Sequence, residues 1–220
     1  MKVAGHRKCL SSSVMLAGVQ AFGREISANA YICGMSSHHF VREGQEPALL
    51  MVDVVSWEII GPLLEWAPLV IVTDTVLETA LQWGIKVDAV IGSAEQSTGL
   101  NDRLADQGPV DILIQAAGTD ALGASLSYLF QTHQSAINII TADPSPLIDT
   151  IIYNTPPLDI SLITTQHRWS LFKSGPYKKW HPAHTTLRIY RPGTPEEVTT
   201  PTDGLITLNP NTPFWIAEPL

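Results

Sequence analysis

The sequence predicts an α/β fold: a mostly parallel sheet flanked by helices, followed by a small antiparallel β-sandwich domain. In the first part, apolar runs of strand length alternate with helical patterns, which is typical of βαβ units. After about Pro157, short segments of alternating apolar and polar residues stand between turn signals, and no helical pattern follows. The chain has 220 residues and is 45% hydrophobic, which is enough for a buried core in one or two domains.

The apolar runs of the first part are predicted as strands of the parallel sheet: 48–54, 69–73, 88–91, 110–114 and 136–141. Helical patterns lie between them, at 57–66, 76–83, 101–105 and after Thr119. Ser56 is suited to cap the first helix, although Pro62 would kink it. Gly84 suits the C′ position after the second helix. Thr119 is the predicted N-cap of the fourth helix, and Asp120 would then lie in its first turn.

The later strands are predicted at 159–164, 169–173, 185–190, 204–208 and 213–217. We therefore predict an α/β domain over 35–156 and a β-sandwich domain over 157–220. Residues 1–34 are interpreted as an N-terminal extension, with Met35 as an alternative start of the chain. A secretory signal is the other interpretation of this extension. Its two cysteines show no metal-ligand spacing, and free thiols in a reducing compartment favour a cytoplasmic location.

Charge and hydropathy exclude two classes of partner. The net charge is −8 and the isoelectric point is near 5.2, whereas nucleic-acid-binding surfaces are basic. No run approaches the roughly 20 apolar residues that span a bilayer. We therefore expect neither a nucleic acid nor a membrane as a partner.

Two residues stand where strands of the predicted parallel sheet end. Asp74 follows the run 69–73, and Gly92 follows the run 88–91. Ligands of open α/β sheets bind outside the carboxyl ends of the strands. The sequence therefore predicts that both residues face a binding crevice.

Several stretches resemble the thiamine pyrophosphokinase family. They are SHHFVREGQEPALL at 37–50, LLEW at 63–66 and GIKVD at 84–88, and the similarity runs from about Ser37 to Ile140. This family transfers a diphosphate from ATP to the hydroxyl of thiamine with the help of Mg²⁺. The resemblance implies the same two-part fold, binding of thiamine or a nucleotide, and a dimer.

Four motifs of that family are altered in this chain. The family's Asp-Gly-Gly turn reads Asp74-Thr75-Val76, and its Gly-Asp-Phe-Asp-Ser metal loop reads GSAEQ at 92–96. Its Asp-Lys-Thr-Asp helix start reads AGTD at 117–120, and its Gly-Lys-Arg-x-Asp-His motif is replaced by PSPLID at 144–149. The acids partly persist, whereas the basic residues and the small residues of the first turn are replaced.

The resemblance implies catalytic roles for Asp74, Glu95 and Asp120. It also implies nucleotide contacts at Asp74, Gly92, Thr119 and Asp120, with Mg²⁺ at Glu95 and Asp74. Each acid also has a purely structural interpretation. Asp74 would form an Asx turn, Glu95 would be a solvated loop residue, and Thr119 with Asp120 would cap a helix.

Two functional hypotheses follow from the resemblance. The first is a degenerate family member, a pseudoenzyme that retains a binding or regulatory role as a homodimer or as a heterodimer with a family member. The second is an active thiamine diphosphokinase with a rearranged Mg²⁺ and ATP site. In that case the three matched acids, Asp74, Glu95 and Asp120, would hold Mg²⁺. Asp102 or Asp149 would assist them, and Arg103 or Lys86 would supply the missing cation.

Overall fold

The computed structural model describes residues 46–95, 99–115, 120–154, 157–209 and 211–220. The predicted extension at 1–34, with its two cysteines, lies outside this part of the chain. The first strands and helices alternate as follows: β1 (Ala48–Met51), α1 (Trp57–Leu64), β2 (Val70–Thr73), α2 (Asp74–Gln82), β3 (Ala89–Gly92), α3 (Leu100–Arg103), β4 (Asp111–Ile114), α4 (Ala121–Gln131), β5 (Ala136–Ile140) and α5 (Ser145–Asn154). Seven strands complete the described chain: β6 (Asp159–Ile163), β7 (His167–Phe172), β8 (Tyr177–His181), β9 (Thr186–Arg191), β10 (Thr194–Thr199), β11 (Gly204–Leu208) and β12 (Phe214–Pro219).

In the described residues one sheet of ten strands has the order β10-β9-β12-β7-β6-β5-β1-β2-β3-β4. Strands β1 to β6 pair in parallel, and the register places Leu50 opposite both Ile71 and Ile139. From β7 onwards the pairing is antiparallel. The predicted order, a mostly parallel sheet with helices and then antiparallel strands, is confirmed.

Buried side chains cover both faces of the parallel strands, because these strands consist almost entirely of apolar residues. On one face α1, α2 and α3 contribute Ile60, Leu77 and Leu100 to the core. On the other face α4 and α5 contribute Leu129 and Ile151. The parallel part is therefore a sheet between two layers of helices.

The helix ends follow the local sequence in most places. Ser56 occupies the N-cap of α1, and Gly84 follows α2 with a φ of +69°, which glycine adopts without strain. The N-cap of α4 corrects the prediction. Asp120, rather than Thr119, holds this position, and its carboxylate accepts a hydrogen bond from the Gly123 N–H at 2.7 Å. Thr119 itself lies outside the described residues.

A two-stranded ribbon of β8 and β11 packs on the antiparallel strands and gives this part its sandwich character. Tyr177 and Ile206 of the ribbon share an apolar cluster with Leu187, Phe214 and Ile216. The Tyr177 hydroxyl donates to Glu218 at 2.7 Å and contacts the imidazole of His181. The Glu218 carboxylate on β12 also accepts from Lys179. This polar chain connects the two sheets.

Burial and pairing act in opposite directions on Glu218. Burial raises the pKa of the Glu218 carboxyl, but the hydrogen bonds from Lys179 and Tyr177 outweigh burial, so that this pKa lies below its ordinary value. The charged form of Glu218 is thus the form that holds the ribbon.

Three elements were not expected from the sequence. Helix α5 begins at Ser145 with Pro146 in its first turn, where a missing N–H costs little. Its Ile148 carbonyl accepts from the buried Trp215 indole at 3.1 Å, and its Asp149 accepts from the Tyr190 hydroxyl at 2.5 Å. Strands β8 and β10 were also missed.

Strand β6, predicted as part of the antiparallel domain, pairs in parallel with β5 on one side and antiparallel with β7 on the other.

The helices of the described residues are all too short or too polar to cross a membrane.

Candidate functional site

The carboxyl ends of the parallel strands meet at one edge of the sheet, and the chain reverses its direction of travel across the sheet at β1. From β1 the chain passes to β2, β3 and β4 on one side and then returns through α4 to β5 on the other side. A crevice opens at such a switch point, and ligands of this fold class bind there. The candidate site is therefore the carboxyl edge around β1.

Asp53 joins the two strands that flank the switch point. Its Oδ2 atom accepts from the Thr141 hydroxyl at 3.0 Å and from the Ala142 N–H at 2.8 Å. Thr141 is 2% exposed, and its Oγ1 also lies 2.8 Å from the Asp143 carbonyl oxygen. Within the described part of the chain, Oδ1 of Asp53 has no hydrogen bond. The loop after β1 is thus tied to the loop after β5, and one carboxylate oxygen is left for other contacts.

A cavity of about 310 Å³ lies beside this connection, and we call it the β1–β5 pocket. Its polar lining comprises Thr141 and the carboxylates of Asp53, Asp120 and Asp143. Apolar side chains form most of the rest: Leu50, Val52, Leu122, Ile139 and Leu147. The backbone N–H of Ser145 donates to the Asp143 carboxylate at 3.0 Å and keeps its pKa below the ordinary value. The pocket therefore combines an apolar body with an acidic rim.

Asp74 directly follows β2, as the sequence predicted, but it is the first residue of α2, which was predicted to begin only at Val76, and it forms an ion pair. The Arg103 guanidinium on α3 donates from Nη1 to Asp74 Oδ1 at 2.5 Å and from Nε to Glu78 Oε1 at 2.7 Å. Partial burial disfavours the charged guanidinium, but the hydrogen bonds and charges of Asp74 and Glu78 outweigh it and raise the pKa of Arg103. The matched acid at the end of β2 is thus neutralised within the chain.

The remaining predicted site residues lie on separate elements. Gly92 is the buried last residue of β3, and Glu95 is exposed in the turn that follows. The carboxylate of Asp120 is engaged by the first turn of α4. Among the described residues, no group of three or more histidine, cysteine or acidic side chains is arranged to hold a metal ion.

The auxiliary residues are placed as follows. Lys86 pairs with Asp88 at 2.7 Å just before β3, which is the opposite, amino edge of the sheet. Asp149 faces Tyr190 of the antiparallel strands. Arg103 is the candidate cation that reaches the carboxyl edge, through its contact with Asp74.

Solved structures share this arrangement of strands and helices. A thiamine pyrophosphokinase from Bacillus subtilis is 12% identical, with a TM-score of 0.51 over 78% of this chain and 98% of that chain. A thiamin pyrophosphokinase from Candida albicans is 8% identical, with a TM-score of 0.53 over 80% of this chain and 89% of that chain.

The fold is that of the thiamine pyrophosphokinases. In the sequence comparisons, no family model and no curated protein matches the chain. At these identities the likeness concerns the fold alone.

The thiamine pyrophosphokinase-like fold raises the question of whether Mg²⁺ fits at Asp74. Mg²⁺ takes oxygen ligands in near-ideal octahedral geometry. One oxygen of the Asp74 carboxylate, Oδ1, is held by the Arg103 guanidinium at 2.5 Å, and this positive charge would repel a Mg²⁺ ion at the same carboxylate. The described arrangement therefore does not fit a Mg²⁺ ion at Asp74.

Three residues of the site were not recognised in the sequence: Asp53, Thr141 and Asp143. Asp53 and Asp143 follow strands β1 and β5 by two and three residues, so they obey the same rule that selected Asp74. Asp53 was counted within the predicted strand 48–54, because apolar residues lie on both sides of it. The sequence feature that could have revealed Asp53 as a site residue was a single acid inside an apolar run.

Proposed function

We propose that the chain is a small-molecule-binding protein with a thiamine pyrophosphokinase-like fold, in which diphosphate transfer is lost or strongly reduced. The observation that carries this proposal is the ion pair between Asp74 and Arg103. Diphosphate transfer depends on acids that hold a metal against the phosphates. Here the carboxylate of Asp74, the acid at the end of β2, is bound by the Arg103 guanidinium of the same molecule.

The other two matched acids support the same proposal. Glu95 is exposed in a turn, so its carboxylate is solvated. Asp120 accepts the Gly123 N–H as the N-cap of α4, a structural role that needs no ligand. In sequence, Ser93 stands where the family's metal loop has its first acid.

The β1–β5 pocket is the binding site of this proposal, with thiamine or a nucleotide as the ligand. Its volume of about 310 Å³ is at the lower end of the range for small-molecule sites. Its apolar walls would take up an aromatic ring, and the free Oδ1 of Asp53 would accept a hydrogen bond from an amino group. Such a combination of apolar walls with a few polar groups is typical of ligand pockets.

The first experiment measures AMP release from ATP by the purified protein in the presence of thiamine and Mg²⁺, beside the Glu95→Gln variant. We expect release at the level of the buffer control in both proteins. Release that exceeds the control and is abolished by Glu95→Gln contradicts the proposal.

The second experiment measures binding of thiamine and of ATP separately by titration calorimetry. Asp53→Asn keeps the size of this side chain and removes one of the three negative charges of the pocket, whereas Asp106→Asn changes an exposed acid outside the pocket and is the matched control. We expect one of the two ligands to bind, and Asp53→Asn alone to weaken it. Equal binding by both variants contradicts this location of the site.

One observation favours a second candidate function, an active diphosphokinase with a rearranged site. Asp53, Asp120 and Asp143 line the same pocket, and carboxylate oxygens are the ligands that Mg²⁺ prefers. The three acids are not grouped around one ion in the described structure, so this candidate requires them to draw together when Mg²⁺ binds. In this case Mg²⁺ and ATP would be held at the β1–β5 pocket. AMP release that survives Glu95→Gln but is lost in Asp120→Asn supports this candidate.

We further propose that the chain acts as a homodimer or as a heterodimer with a thiamine pyrophosphokinase. The support is an apolar pair on the ribbon, where Trp180 and Leu205 lie opposite each other and are 57% and 55% exposed. Contact surfaces carry contiguous exposed apolar patches, and this pair would be the centre of such a patch. Light scattering on the wild type and on Trp180→Ser tests it: a monomeric mass for the wild type contradicts the homodimer.

A further inference from the structure

Arg103 holds two acids of one helix at once. Asp74 and Glu78 are four residues apart on α2 and therefore lie one above the other on the same face of the helix. The Nη1 atom of Arg103 is 2.5 Å from Asp74 and its Nε atom is 2.7 Å from Glu78. A single guanidinium at the end of α3 thus donates one charge-assisted hydrogen bond to each carboxylate.

This contact has the character of a cation site. The Asp74 side chain is 17% exposed and that of Arg103 33% exposed, so this pair is partly withdrawn from water, whereas the Glu78 side chain is 61% exposed. Without a cation, Asp74 and Glu78 would face each other as like charges. Two carboxylates one helical turn apart at the carboxyl edge of the sheet would then attract a positive ion.

We infer that Arg103 is a built-in replacement for a divalent cation at Asp74 and Glu78. The guanidinium is covalently attached, so it is present at a high effective concentration and needs no cation from solution. A divalent ion that competes with it must also give up bound water. The protein with Arg103 should therefore not take up a metal ion between these two acids, and the protein without it should.

Binding of Mn²⁺ to the full chain tests this inference, because the electron paramagnetic resonance signal of free Mn²⁺ falls when the ion binds. Arg103→Met removes the charge and keeps an apolar stem of similar length. The matched control is Arg188→Met, which breaks a similar Arg–Glu pair, at 2.9 Å from Glu197 on a strand, and changes the net charge equally. For a weak oxygen site with a Kd of about 1 mM, roughly a third of the Mn²⁺ is bound at about 0.5 mM protein.

We expect Arg103→Met to bind Mn²⁺ about fivefold or more tightly than the wild type and Arg188→Met, because the positive charge that repels the ion at Asp74 is removed. Adding Asp74→Asn to Arg103→Met should abolish the gain, and Arg103→Lys, which retains a cation, should show none. Circular dichroism verifies the fold of each variant, and Arg103→Gln replaces Arg103→Met if the latter does not fold.

Equal Mn²⁺ affinities of the Arg103 and Arg188 variants overturn the inference. So does loss of Mn²⁺ binding when Asp74→Asn is introduced into the chain that keeps Arg103. The inference goes beyond the proposed function, because Mn²⁺ binding is read without thiamine or ATP. A protein that binds neither ligand can still confirm it.

Discussion

Replacing Asp53 with alanine removes the connection between the loops after β1 and β5. The substitution deletes two hydrogen bonds to one charged oxygen, at 3.0 Å from Thr141 and 2.8 Å from Ala142. Hydrogen bonds to charged groups contribute about 1.5–3 kcal/mol when the donors are left unpaired. Here the Thr141 hydroxyl retains the Asp143 carbonyl as an acceptor, and Ala142 is exposed to water. Loss of the Thr141 bond therefore costs little and loss of the Ala142 bond costs the lower part of this range, so we expect a total loss of about 2 kcal/mol in the free energy of unfolding.

The assay is urea unfolding followed by circular dichroism, with thermal unfolding beside it. A loss of about 2 kcal/mol corresponds to a fall of about 4–8 °C in Tm for a chain of this size. The control is Asp106→Ala, since Asp106 is exposed and has no hydrogen bond from its side chain among the described residues; we expect a change within about 0.5 kcal/mol. If the two variants unfold at the same urea concentration, the connection through Asp53 does not stabilise the switch point.

Three further predictions concern the packing of the antiparallel part and the end of α2. Trp215→Phe should lower the free energy of unfolding by about 3 kcal/mol in urea titrations, because a buried hydrogen bond to α5 is lost and a cavity forms. The control Trp180→Phe changes an exposed side chain and should alter the free energy of unfolding by less than about 0.5 kcal/mol. Since the pKa of Glu218 is lowered in the fold, its contribution is complete above its ordinary pKa of 4.5 and is lost as the pH falls through the lowered value. Glu218→Gln should therefore flatten the pH dependence of unfolding between about pH 5 and pH 3; an unchanged slope there contradicts the assignment. Gly84→Ala should cost about 1 kcal/mol at a φ of +69°, and Gly108→Ala, which meets open space, should cost less; equal thermal midpoints refute the strain argument.

Much of the fold could be predicted because the parallel strands are continuous apolar runs. Strands β1 to β5 lie within or next to the predicted runs. Burial on both faces makes β1, β2, β3 and β5 almost entirely apolar, whereas the edge strand β4 is only partly buried. Strand β8 was missed because two lysines and an exposed tryptophan hide its period of two, and β10 was missed because Pro195 and two glutamates mark an edge strand. Helix α5 was missed because the prolines at 144 and 146 suggest a loop.

The candidate site was predictable only in part. The position of Asp74 follows from the end of its strand, whereas its partner Arg103 is 29 residues away and is brought to it by the packing of α3 on α2. Thr141 and Asp53 are 88 residues apart in sequence and meet only because β1 and β5 are neighbours in the sheet. No local sequence pattern encodes contacts between residues so far apart in the chain. The motifs alone therefore could not show which acids of the crevice are paired within the molecule.

The shared sheet has a consequence for how the chain matures during synthesis. Strand β6 pairs with β5 on one side and with β7 on the other, so the edge of β6 stays open during synthesis until β7 is made. An unpaired edge of apolar residues is a template for aggregation. A ribosome-bound or truncated chain that stops before β7 should therefore need protection of this edge by a chaperone.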